Sequence, residues 1–282
     1  MNYKTNRGII MKILKIAGMF LLALLIMVVT QGIASIFSDL IPFLGMGAIL
    51  QGILYIIFAF LVVRLFIKRV LKDRLSAYRI TTPKFNKLYV ILGLSLPIVV
   101  YAIYFIFVPG DFTVHHFGNL NDMLHSFFWS VFVTALGGAV VEELVCRGLL
   151  MGYIEKKTNI KIAIISTAIF FGAIHLLNGG LNVSSFFLLL ISGSLVGIMF
   201  GLATYKFNTI WASITLHFCW NLSQLLLITE KESQYSIWQY VVHTNNIAIT
   251  GNQFGYEASI ISIAGYIGVI LILLMIKHRD IQ

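Results

Sequence analysis

Apolar residues fall in eight runs of about 20, the length that carries a helix across a ~30 Å hydrocarbon layer. The runs lie near 13–37, 43–67, 88–108, 126–152, 161–177, 184–204, 208–228 and 257–276, with hydrophilic stretches between them. This pattern predicts an all-α polytopic membrane protein, a bundle of about eight transmembrane helices. The first run is too long for a secretory signal and lacks a small-residue cleavage site, so it is expected to stay in the mature chain. Grouped by content, the runs give three segments. Residues 1–125 form a frame of about three helices with a basic link over 64–87. Residues 126–228 form a core of about four helices, and 229–282 hold an outer loop and the last helix.

Composition sharpens the class. The chain is 59% hydrophobic and 11% charged, with a mean hydropathy of +0.92. No soluble domain of 282 residues needs so much apolar residue. The bases then set the orientation. Lys4, Arg7, Lys12 and Lys15 lie before or at the start of the first run. Arg64, Lys68, Arg69, Lys72, Arg74, Arg79, Lys84 and Lys87 lie at the end of the second or after it. Lys156, Lys157, Lys161, Lys206, Lys277 and Arg279 fall on the same side of an eight-span chain. Lys231 alone falls on the other side, which carries Asp39, Asp111, Asp122, Glu230, Glu232 and Glu257. Both termini are therefore expected in the cytoplasm. The net charge of +9 reads as a topology signal and an attraction to the anionic lipid bilayer. It does not read as nucleic-acid binding, because the bases are scattered over several connections. The link over 64–87 reads mainly as part of that signal; a short amphipathic segment on the inner leaflet is the other reading. Cys146 and Cys219 both lie within runs and form no disulfide framework.

Candidate chemistry sits in the core. Of eleven acidic residues only Glu142 and Glu143 lie inside an apolar run, and Arg147 is the one base well inside such a run. Charged groups at membrane depth are costly and mark function by default. Glu143 and Arg147 are spaced i, i+4 and can pair along one helix face. Glu142 points about 100° away from Glu143 and is left free. His175 lies in the fifth run; His217 and, one turn on, Asn221 lie in the seventh. Counted from the basic end at ~1.5 Å per residue, Glu142, His175, His217 and Asn221 lie at depths of about 20, 21, 16 and 22 Å. Separate interhelical hydrogen bonds do not require a common depth; one site does. A Glu can serve as general base toward water with a His beside it. A second His and an Asn amide suit an oxyanion. The chemistry expected is water attack on an amide within the membrane, with water entering most simply from the cytosolic side.

These residues form three motifs: Glu142-Glu143-x-x-x-Arg147, Phe171-x-x-x-His175 and His217-x-x-x-Asn221, over roughly 135–225. In order and in successive apolar helices, they resemble the CPBP (CAAX protease and bacteriocin-processing, or Abi) intramembrane proteases, which include the type II CAAX prenyl endopeptidases. The resemblance implies that Glu142 activates water with His175, and that His217 and Asn221 stabilise the oxyanion. It implies that Glu143 and Arg147 form a supporting pair and that Phe171 packs behind His175. It implies a glutamate protease with no cofactor. The alternative is a zinc enzyme with Glu142, His175 and His217 as ligands, although no His-Glu-x-x-His spacing is present. The implied substrate is a membrane-bound peptide or lipidated protein, in a setting such as bacteriocin or peptide maturation or self-immunity. The Ile-, Lys- and Asn-tinged composition leans toward a multi-pass protein of the bacterial plasma membrane. A different class stays open: a non-catalytic membrane scaffold or immunity factor that binds another membrane protein. A proton-coupled transporter ranks last, because no inverted repeat is visible.

Overall fold

Side-chain caps start most of the helices. The structure, a computed structural model, describes residues 3–38, 40–41, 43–83, 86–178 and 182–278. Asp39, Lys84 and Arg279, part of the charge pattern above, lie outside these residues. Helices α1 (Tyr3–Ser38), α2 (Met46–Val70), α3 (Lys87–Phe107) and α4 (Leu120–Lys157) are followed by α5 (Ile160–Leu177), α6 (Val183–Phe207), α7 (Ile210–Ser223) and α8 (Ile260–Met275). The side chains of Asn159, Asn182, Thr209 and Ser259 accept hydrogen bonds from first-turn amides of α5, α6, α7 and α8. Such caps satisfy donors that a helix start leaves orphaned. Asn208, in the left-handed region at φ 52°, ends α6 and turns the chain directly into Thr209 and α7.

Each expected run overlaps a helix, although the end of the seventh, from Leu226, is strand, and the helices are unequal. Among the described residues α1 to α6 are long and apolar enough to cross a membrane, which makes this a multi-pass membrane protein. Helix α7 has 14 residues and α8 has 16, roughly 21 and 24 Å of rise. Both begin or end short of a full crossing. The all-α expectation needs a correction here. The connections after α3 and after α7 form a three-stranded sheet of β1 (Gly110–Val114), β2 (Leu226–Thr229) and β3 (Trp238–Val242). The order is β1-β3-β2, with β1 antiparallel and β2 parallel to β3. Phe112, Val114, Ile228, Trp238, Tyr240 and Val242 are the aromatic and branched residues that favour strands. Phe105, Phe112 and Tyr240 pack as a cluster with ring centroids 4.9–5.2 Å apart.

Helix α7 is central and packs on α3, α4 and α6. Helices α5 and α6 are pressed together along Gly193, Gly197 and Gly201: a Cβ on Gly197 would lie 2.6 Å from Ala168 Cα. That is the close approach a small-residue face allows. Helix α4 carries two π-helical stretches, Trp129–Gly138 and Leu144–Leu150, on either side of Glu142 and Glu143. Wide turns of this kind recur at functional sites.

The basic link is more than a charge signal. Tyr78 and Ile80 are buried, and Arg79 makes a two-pronged contact with Glu155 at 2.6 and 2.9 Å. Trp211 Nε1 donates to Thr81 O at 2.7 Å, and Ile210 N to Arg79 O at 3.0 Å. Lys156 donates to Asp73. That bond, then one from the Arg74 amide, holds the Asp73 carboxyl below the usual carboxylate range. Burial, with the Asp73 and Tyr153 groups adding, pushes the Tyr78 phenol up to about 12. The link is thus docked under the bundle at its basic end.

Candidate active site

Glu143 and Arg147 lie at the bottom of the site. Both are 0% exposed, and Arg147 Nη1 donates to Glu143 Oε1 at 3.0 Å. Arg147 Nη2 donates to Gly197 O at 3.3 Å, and the guanidinium lies 4.3 Å from the Phe171 ring centre and 5.3 Å from that of Phe200. One buried pair thus joins α4 to α5 and α6. The same Glu143 Oε1 accepts from His217 Nδ1 at 3.0 Å, which joins α7 as well. His217 stacks on Phe200 at 4.7 Å between centres and is 5% exposed.

Above this layer is a cavity of about 390 Å³. Glu142, Phe171, His175, His217 and Asn221 all line it. Glu142 Oε2 is buried without a hydrogen-bond partner. An unpartnered buried carboxylate oxygen is costly and is expected to meet water or a ligand. His175 lies in the last turn of α5, with Nδ1 2.7 Å from Phe171 O. A carbonyl only accepts, so a neutral ring carries its proton on Nδ1 and leaves Nε2 as a free acceptor. Asn221 Nδ2 donates to Thr134 O at 3.2 Å and has a second N–H to offer. Gly138 is the meeting point: a Cβ there would lie 3.7 Å from Glu142 Oε1 and 3.8 Å from Asn221 Nδ2.

All seven residues expected from sequence are therefore close together, five on the cavity and two behind its wall. Glu257 is the residue that sequence reasoning misses. It falls among the acids of the outer connections, yet its Oε1 accepts from Trp220 Nε1 at 2.7 Å and Gln224 Nε2 at 2.9 Å, and it lines the cavity. Gln31, Trp129, Gln224 and Phe254 are further lining residues. The spacing of His217, Asn221 and Gln224 at i, i+4 and i+7 is a legible signal that Gln224 shares their face. Glu257 carries no such signal, because a turn outside the helices brings it in.

A zinc alternative would need Glu142, His175 and His217 together. Among the described residues no three His, Cys, Asp or Glu side chains form a group able to hold a metal ion. Glu142, His175 and His217 as arranged do not form such a group.

Fold and site define a multi-pass membrane protein with a carboxylate, two imidazoles and an amide around a cavity inside its helical bundle. Residues 124–223, which include all seven side chains, match the family model described as type II CAAX prenyl endopeptidase Rce1-like. Over this stretch, 100 of the 282 residues, the chain is similar to that family, a family of membrane proteases. Helices α1 to α3 and α8 lie outside the match. No curated protein and no solved structure matches the chain.

Proposed function

We propose that the protein is an intramembrane endopeptidase that hydrolyses a peptide bond of a membrane-associated peptide or lipidated protein by Glu142- and His175-activated water. The single observation that carries this is the unpartnered Glu142 Oε2 in a cavity that His175 and Asn221 also line. Glu142 orients the water and takes its proton, with His175 Nε2 as the second acceptor. The water oxygen bonds to the carbonyl carbon, and the carbonyl oxygen becomes an oxyanion. The second Asn221 N–H donates to that oxyanion. His217 donates from Nε2 when its ring holds both protons, with Glu143 as counter-ion. Collapse breaks the C–N bond, and the proton taken from water goes to the leaving amine. The products are a carboxylic acid and an amine, and the acid's proton passes to the amine to give carboxylate and ammonium. The biological setting that fits such chemistry is maturation of a small membrane peptide, a bacteriocin precursor for example, or self-immunity.

The test uses purified protein in nanodiscs with lipidated and unlipidated membrane-anchored peptides, read by mass spectrometry. Wild type is expected to cut, His175→Ala to lose cleavage, and a zinc chelator to leave wild type unchanged. Loss of cleavage with chelator would contradict the metal-free mechanism. If wild type cuts nothing while Glu142→Ala still works in cells, a non-catalytic binding role replaces the protease.

A further inference from the structure

The ends of the helices differ in what they do to the cavity. At one end its wall is made by Trp129 early in α4, His175 in the last turn of α5, Gln224 just after α7, and Phe254 and Glu257 in the turns before α8. At the other end lie Lys68 and Arg69 in the last turns of α2, Lys156 and Lys157 closing α4, and Lys206 closing α6. Among the described residues, none that lines the cavity belongs to that basic end. Between the cavity and that end the middle of α4 is fully packed. Cys146, Leu149, Leu150 and Met151 are 0% exposed. Below them the docked link closes on the helices. A Cβ on Gly152 would lie 2.7 Å from the Tyr78 ring and one on Gly148 would lie 3.0 Å from Ile80. The Arg79–Glu155 pair fastens the link in place.

Bases collect on the cytoplasmic side of membrane proteins. If the basic end faces the cytoplasm, the sealed end does too. We infer that the cavity is entered from the extracytoplasmic face, and that its substrate is a peptide segment displayed on the outer surface of the membrane: an exported or surface-anchored chain. Gln224, Phe254 and Glu257 form part of the wall of that entrance. This reverses the expectation of cytosolic access. The choice of substrate rests on the protease reading; the direction of entry does not.

Side-specific labelling tests the direction without any cleavage. Cys146→Ala and Cys219→Ala remove the native thiols. Phe254→Cys and, separately, Trp129→Cys then mark the mouth, and Lys157→Cys marks the basic end. The full chain is labelled with a membrane-impermeant maleimide in right-side-out and in inside-out vesicles. Phe254→Cys and Trp129→Cys are expected to react in right-side-out vesicles, and Lys157→Cys only in inside-out ones. Two mouth positions guard against one variant failing to fold. Mouth cysteines that react only in inside-out vesicles, or from neither side in folded protein, would overturn the inference. Labelling from outside with no peptide cleaved would leave entry intact and count against the protease alone.

Discussion

One carboxylate oxygen, Glu143 Oε1, holds both Arg147 and His217 at 3.0 Å in a fully buried position. Removing one partner of a buried pair strands the other charge, at a cost of about 3–5 kcal/mol. Glu143→Gln and Arg147→Met are each expected to lower stability by that order. The double variant is expected to recover part of the loss, as a double-mutant cycle of unfolding in nanodiscs would show. Additive losses would mean that the two residues are not coupled. Gly138 gives a different outcome. A methyl group at this position would meet Glu142 and Asn221 only at ordinary contact distance. Gly138→Ala should therefore fold normally and yet cut poorly, because the methyl takes cavity space between those two groups. At this scale the sequence is informative. Charge inside apolar runs exposes Glu142, Glu143 and Arg147, and a shared depth exposes His175, His217 and Asn221. What it hides is partnership. Spacing allows Glu143 to pair with Arg147, but that His217 shares the same oxygen depends on how α7 packs against α4.

Between elements, close approach and docking set the geometry. A side chain at Gly197 would run into backbone atoms of α5. Gly197→Leu is expected to push α5 and α6 apart, at roughly 1–3 kcal/mol, and to move Phe171 and His175 off the site. Thermal unfolding together with cleavage would check both effects. At the basic end, Asp73 and Lys156 help to hold the link. The folded-state value of Asp73 is lowered. Its contribution is therefore present above the usual carboxylate range and is lost as pH falls through the lowered value. Hydrogen exchange over 72–82 should rise in that acid window. Asp73→Asn should show faster exchange at neutral pH and no such step. The helices are legible because apolar run length and Asn, Thr and Ser caps are local. The π-helical stretches of α4 and the sheet are not. Strand β3 pairs with β1 over more than 120 residues of sequence and lies beside β2, a pairing no local pattern specifies.

Across the whole molecule, the site depends on an asymmetry between the two ends of the bundle. One end is filled by the link and by fully buried side chains; the other is built from turns and short helix ends around the cavity. The sequence carries the charge difference between the ends but not the filling, because Tyr78 and Ile80 read as ordinary residues of a basic loop until the fold tucks them beneath Gly152 and Gly148. The proposed chemistry rests on a single carboxylate, Glu142, at the open end of this asymmetry. The most direct measurement compares the cleavage rate of wild type and Glu142→Gln in nanodiscs, with an unfolding curve for each. Gln keeps the shape of Glu but cannot take a proton from water. The expected result is an unchanged unfolding curve and loss of cleavage by at least ~100-fold, the scale of a positioned general base. Cleavage by Glu142→Gln at a rate near wild type would contradict the general-base role.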